Sequence, residues 1–429
     1  MEHLSLTATL KQRLGPLYGS HTLQTVVGLA GSNFLSTAIG LIGSLIQARF
    51  VTPEDLGYFR GFSIATGYAF FFHFGLFGAL QRLYPYYIGK GERSRALALA
   101  QVCQAWNLSV SILIGGAFMA LAVVSLYQGN WRAMLGWLVQ MGAIFGFIYG
   151  GYLSAIYRSG HDFRTVAKGG ALSSITSLFT LPFFIWWPYV ALALRSSVGN
   201  LVSLVYLHIR RPLRLGWRFT WSEWYGLLKE GGPIFIASYG YTTGWSVVET
   251  SLILHFLDTG ALGLWSMSFL LSEGSNKLAQ AITAVYTPRI TEWWGKTESI
   301  RECLELMRKP LRWGVPGMLA MAAVIAACLP FVVPLLAPKY TAAVSTMSLM
   351  LLLLPLYVLE LPFSLLVAMG RVIQQNVVTY VGLLSFALLA VASVFLGYGL
   401  NGIVVASLIG RAIRLLGTFG YIAIARREK

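Results

Sequence analysis

The sequence predicts an all-α polytopic membrane protein. It has about twelve transmembrane helices in two pseudo-symmetric six-helix bundles, with both termini cytoplasmic. Three observations carry that expectation. The 429 residues are 56% hydrophobic and only 11% charged, against about 25% charged in an ordinary soluble chain. Lys and Arg concentrate in alternate loops. The two halves of the chain match at one fixed offset. The composition excludes a soluble enzyme, a disordered chain and a nucleic-acid-binding domain. The three cysteines, Cys103, Cys303 and Cys328, are far apart and indicate neither a disulfide framework nor a metal site.

A membrane helix needs roughly 20 mostly apolar residues. In the first half the candidate spans are 25–47, 57–80, 98–127, 132–156, 165–187 and 188–208. In the second half they are 231–256, 260–285, 312–336, 341–369, 376–396 and 399–424. The turn at Trp187/Pro188 is nearly absent, so the boundary of spans 5 and 6 is the weakest. The first apolar stretch is too long for the core of a signal peptide and has no clear small-residue cleavage pattern. Ahead of it, Leu4, Leu6, Leu10, Leu14 and Leu17 surround Lys11 and Arg13. That pattern fits a short interfacial helix or a frayed tail.

The basic residues set the orientation. With the N-terminus inside, 24 of the 32 Lys and Arg fall in cytoplasmic segments. The outside loops hold only Arg49, Arg132 and Lys339, and the other five lie within spans. A skew of this size is a strong orientation signal. The net charge of +16 is therefore mostly a record of topology. The expected organisation is an N-terminal cytoplasmic or interfacial segment (1–24), an N-lobe (25–208), a basic linker (209–230), a C-lobe (231–424) and a basic tail (425–429).

Shifting the chain by 206 residues places Phe50 on Phe256 and Leu56-Gly57 on Leu262-Gly263. The same shift places Gly89-Lys90-Gly91-Glu92-Arg93-Ser94-Arg95 on Gly295-Lys296-Thr297-Glu298-Ser299-Ile300-Arg301. Each half then has six spans. An even number makes the repeats parallel, the arrangement of transporters whose two bundles rock about a central site. The plainer alternative is a duplication that only built a scaffold.

Ionisable groups inside spans cost about 2.5–3.5 kcal/mol each on insertion scales and usually face a cavity or a partner. Here they are Arg60, His73, Arg195, Glu249, Glu273, Lys277, Glu360, Arg411 and Arg414. Glu273 and Lys277 share a helical face at i,i+4 and can pair. Arg411 and Arg414, at i,i+3, have no acid in their own helix. An excess of cations suits an anionic head group, for which Arg offers forked donors. The candidate substrate-binding cations are Arg60, Lys277, Arg411, Arg414 and Arg195, with Arg49 at the outer end of span 1. The candidate coupling groups are Glu249, Glu273, Glu360 and His73. Plainer roles compete: a structural Glu273–Lys277 pair, Arg60 snorkelling to head groups, a packing His73 in Phe71-Phe72-His73-Phe74, and an Arg414 ion pair with Glu360 or Glu249. Pro362 removes the hydrogen bond to the Val358 carbonyl, so Glu360 could sit beside a freed backbone oxygen. Ser32, Ser36, Gly40 and Ser44 form a ridge for close helix packing.

Enzyme signatures are missing. Gly295-Lys296-Thr297 lacks the glycine a P-loop needs five residues earlier, where Ile290 stands. There is no HExxH or GxSxG, and no cofactor or metal site is expected. Glu54-Asp55, in a loop of about nine residues, is too confined for the donor site of a polyprenyl-phosphate glycosyltransferase. It reads better as a helix start after Thr52-Pro53.

The stretch Ala48-Arg49-Phe50-Val51-Thr52-Pro53-Glu54-Asp55-Leu56-Gly57-Tyr58-Phe59 resembles the start of bacterial Wzx-type polysaccharide flippases. These form the polysaccharide-transporter branch of the multidrug/oligosaccharidyl-lipid/polysaccharide exporter superfamily. The resemblance implies a flippase in the bacterial cytoplasmic (inner) membrane. It would move an undecaprenyl-diphosphate-linked oligosaccharide for O-antigen, lipopolysaccharide or other cell-envelope polysaccharide. It also implies alternating access around a cationic cavity, driven by H+ or Na+ gradients or by membrane potential, and a polysaccharide polymerase as a partner. Lipid II flippases usually carry two further helices, so that branch is the lesser expectation. The runner-up is a cation-coupled multidrug exporter of the same superfamily, and the least favoured reading is the membrane glycosyltransferase.

Overall fold

The computed structural model describes residues 39–427, apart from positions 41 and 161. Helix α1 (42–50) is the end of span 1. The segment 1–24, the start of span 1 with Ser32 and Ser36, and the last two residues of the tail lie outside the described residues.

Every expected span from the second onward is a helix or a broken helix, and no strand occurs among the described residues. Span 2 comprises α2 (Pro53–Ala69) and α3 (Leu76–Gly89). Span 3 is α4 (Arg93–Tyr127). Span 4 joins α5 (Trp131–Ile144) to α6 (Gly150–Ser159) through a π-helical turn at Phe145–Tyr149. Span 5 is α7 (Phe163–Leu178) with a 3-10 turn at Leu181–Phe184, and span 6 is α8 (Pro188–Ile209). Pro188 stands in the first turn of α8, where its missing N–H costs nothing. The two spans are thus separated by a very short bend at 185–187.

In the second half, span 7 joins α9 (Trp221–Tyr239) to α10 (Trp245–Phe256) through a π-helical turn at Gly240–Gly244. Spans 8 and 9 are α11 (Thr259–Thr297) and α12 (Ile300–Leu336). Span 10 is broken into α13 (Val344–Met350), α14 (Leu353–Leu359) and α15 (Phe363–Ala368). Spans 11 and 12 are α16 (Val372–Phe395) and α17 (Gly399–Arg427). Eight of these segments are long and apolar enough to cross a membrane. The chain is a multi-pass membrane protein. Its outward faces carry side chains such as Leu113, Phe331 and Leu388, each more than 60% exposed. A helix apolar on all sides needs lipid around it.

Several helices outrun their apolar stretches at the basic end. Helix α9 begins at Trp221, within the sequence stretch read as linker, and the Thr220 hydroxyl donates to the Glu223 carboxylate at its first turn. That hydrogen bond holds the Glu223 carboxyl below the usual range. Hydropathy detects only the part of a helix that meets lipid, so such extensions escape it.

The repeat is visible in the contacts. Thr52 caps α2 by accepting from Asp55 N at 3.2 Å, and Asp258 caps α11 by accepting from Ala261 N at 2.7 Å. These caps are themselves repeat mates. The two helices then meet reciprocally. A Cβ added to Gly57 would lie 1.6 Å from Thr259 O, and one on Gly263 would lie 1.8 Å from Pro53 O. Only glycine permits backbones this close. The same end is held by Lys339 Nζ donating to Phe50 O at 2.7 Å.

Candidate functional site

A cavity of about 1140 Å³ lies between the two halves, walled by α2, α5, α9–α11, α14–α17 and their breaks. Its charged walls sit mostly on the C-terminal half. The π-helical turn at Gly240–Gly244 brings Tyr241 and Trp245 toward α17, and the break between α14 and α15 brings Glu360 to the same place. Arg414 is 3% exposed. It pairs with Glu360 at 3.5 Å, and its guanidinium carbon lies 3.6 Å from the Tyr241 ring centroid and 3.9 Å from that of Phe363. The Tyr241 hydroxyl donates to Glu360. Arg411 lies over the Trp245 ring at 4.7 Å, an arrangement favourable to a cation.

Glu249 is 3% exposed. It accepts from Trp245 Nε1 at 2.9 Å and from Ser407 Oγ at 2.6 Å. On the opposite wall, Arg60 is exposed to the cavity, and no acid pairs with it among the described residues. Thr66 donates to Gln140 Oε1 at 2.8 Å in a buried contact beside it.

The sequence candidates therefore divide. Arg60, Arg411, Arg414, Glu249, Glu273 and Glu360 all line the cavity. Lys277 is not among the lining residues. It pairs with Glu273 at 3.0 Å and is nearly half exposed. Arg195 donates to Gln47 Oε1 at 2.8 Å, Gly40 O at 3.0 Å and Ser44 Oγ at 3.3 Å, fastening span 6 to span 1. Arg49 is exposed on α1 and also lies outside the lining. His73 lies in the break of span 2, outside this cavity.

Two sequence expectations change. Three arginines and three glutamates line the cavity, so the excess of buried cations does not extend to its walls. The reason is that Lys277 pairs with Glu273 on its own helix α11, outside the lining, and Arg195 is taken up by Gln47, Gly40 and Ser44 of span 1. The Val358 carbonyl near Glu360 is not free either. Leu361 N takes it at 3.2 Å, since the chain tightens after α14 and reuses the acceptor that Pro362 leaves.

Sequence reading missed Tyr241, Trp245, Ser407 and the Thr66–Gln140 pair. A search for uncharged polar groups in spans would have found Thr66, Gln140 and Ser407. Nothing in Gly240-Tyr241-Thr242-Thr243-Gly244 announces a π-helical turn.

No family model matches the sequence, and no curated protein matches it. Solved structures do. An inward-facing multidrug resistance MATE family transporter of the MOP superfamily aligns with TM-score 0.74 and 14% identity, over 91% of this chain and 95% of that one. The lipid II flippase MurJ, in an inward closed conformation, aligns with TM-score 0.72 and 16% identity, over 92% and 87%. A MOP superfamily transporter from Pyrococcus furiosus, described as having a binding pocket of reverse polarity, aligns with TM-score 0.66 and 14% identity, over 94% and 95%. The chain thus has the fold of these transporters along nearly its whole length.

Proposed function

We propose that the protein is a secondary transporter, not an enzyme, that flips an undecaprenyl-diphosphate-linked oligosaccharide across the bacterial inner membrane by alternating access. The fold supports transport, and parallel repeats around a central cavity suit two lobes, 25–208 and 231–424, rocking against each other. One observation carries the choice of an anionic cargo. Each cavity carboxylate already has a donor, whereas the arginines keep donors to spare. Glu249 has Trp245 and Ser407, Glu360 has Tyr241 and Arg414, and Glu273 has Lys277. Arg411 Nε and Arg414 Nε and Nη1 are buried with no hydrogen-bond partner. Buried donors left unpaired cost about 1–3 kcal/mol each, a cost that a diphosphate could relieve. The cavity also exceeds the roughly 300–1,000 Å³ of drug-sized sites, leaving room for sugars while the lipid chain stays in the bilayer.

Arg411, Arg414 and Arg60 are the residues we assign to the head group. Glu249 and Glu360 are the coupling candidates for H+ or Na+, and a polysaccharide polymerase is the expected partner. Glycan export by cells carrying Arg411→Ala or Arg414→Ala should fall at least tenfold with protein still in the membrane, while Lys277→Ala keeps most of it. Normal export by both arginine variants would overturn the anionic-cargo reading. The buried Glu249 favours a second reading, a cation-coupled drug exporter. Dye efflux that is lost in Glu249→Gln would point there.

A further inference from the structure

A second pocket, of about 280 Å³, lies on the seam between the halves, where the break in span 2 meets α9. Its walls are the rings of Phe70, His73, Phe77 and Phe235 with Gly78 and Gly231 between them. Phe70, Ile234, Ser238 and Thr242 line both this pocket and the central cavity, so the two spaces share a wall. The flanking surface is apolar, with Phe72 50% and Ile236 41% exposed. At the basic end, Arg82 and Glu230 pair at 3.0 Å and stay largely exposed, at 67% and 41%.

His73 is the unexplained group. It is 2% exposed and stacks on Phe77 at 4.1 Å. Its Nδ1 accepts from Gly75 N at 2.9 Å, which satisfies an amide at the start of α3. With Nδ1 an acceptor, the neutral ring carries its proton on Nε2. That Nε2 is buried and has no partner. An apolar pocket with one unused donor inside and a cation at its rim calls for an amphiphile with an acceptor oxygen a short way above an anionic head. Between His73 and Arg82 the chain leaves the 3-10 turn at Phe70–His73, bends through Phe74 and Gly75 and enters α3, where Arg82 stands nearly two turns in. Both residues line the pocket, and together they suit an ester and a phosphate of one amphiphile.

We infer that this pocket seats one acyl chain of an anionic bilayer glycerophospholipid, with an ester oxygen on His73 Nε2–H and the phosphate on Arg82. Anionic lipids concentrate in the cytoplasmic leaflet, the side to which the Lys and Arg distribution assigns this end. Spans 2 and 7 come from different halves, so the lipid acts as a wedge whose binding biases the opening of the seam. This role stands apart from the nature of the cargo.

Gly78 supplies the test. It lines the pocket, and a Cβ added there meets nothing within 4 Å, so Gly78→Leu fills the space without a backbone clash. The full-length protein would be reconstituted with phosphatidylglycerol and phosphatidylethanolamine, re-extracted, and weighed intact by native mass spectrometry. We expect the unaltered protein to retain one phosphatidylglycerol. Gly78→Leu should lose it at least tenfold, with an unchanged melting temperature. Arg82→Gln, a surface change that does not depend on filling the pocket, should abolish the preference for the anionic lipid. Equal retention by Gly78→Leu, no retained lipid in the unaltered protein, or no preference between the two lipids would each overturn the assignment.

Discussion

Arg414 shows how this chain keeps a charge inside a membrane. Its guanidinium lies between the Tyr241 and Phe363 rings, which leaves Nε and Nη1 without acceptors. Glu360 partly neutralises it. Such residues were legible in the sequence because a charge in an apolar span is rare and costly. Their partners were not, since ring stacking and pairings between distant helices leave no local pattern. Thr66–Gln140 is an example, two residues 74 positions apart that bond at 2.8 Å in a buried contact. Thr66→Val removes the donor and leaves Gln140 Oε1 buried without it. The expected loss is about 1–2 kcal/mol of stability, read as a lower melting temperature in detergent. Gln140→Leu made together with Thr66→Val should recover most of that loss, because both polar groups then disappear.

At the scale of elements, periodicity and hydropathy located the helices, and caps and breaks refined them. Thr52-Pro53-Glu54-Asp55 reads as a helix start, and Thr52 does cap α2. The breaks were less legible. Phe74 adopts a left-handed φ of 49°, and Gly75 follows at 76°, yet the run Phe70 to Phe74 reads as ordinary span. A left-handed non-glycine residue costs of order 1–3 kcal/mol. Here it is held by aromatic contacts, including Phe74 with Trp106 at 5.9 Å. The caps of α2 and α11 give an element-scale prediction. Thr52→Ala and Asp258→Ala each remove the side-chain acceptor of a first-turn amide, worth about 1 kcal/mol. The two sites are repeat mates on different helices, so both substitutions should lower the melting temperature by similar amounts. A drop at only one site would mean that the two helix starts are not equivalent.

At the scale of the molecule, the internal repeat was legible as an offset in sequence, but the way the halves touch was not. The offset marks Gly57 and Gly263 as mates without saying that they meet. In the structure each backbone occupies the space where the other's side chain would be. This contact closes one end of the seam between α2 and α11, and the rocking proposed above would part it. Gly57→Ala therefore favours the parted arrangement, since the atom in the way is the Thr259 carbonyl, which cannot swing aside as a side chain would. Spin labels at Tyr127 and Phe395, exposed positions on α4 and α16 near that end, would report the separation of the halves by pulsed electron resonance. We expect Gly57→Ala to shift the distance distribution to longer values, and Gly263→Ala to shift it the same way, because the contact is reciprocal. A distribution unchanged in both variants, in protein that still melts cooperatively, would show that the glycine contact does not govern the closed end.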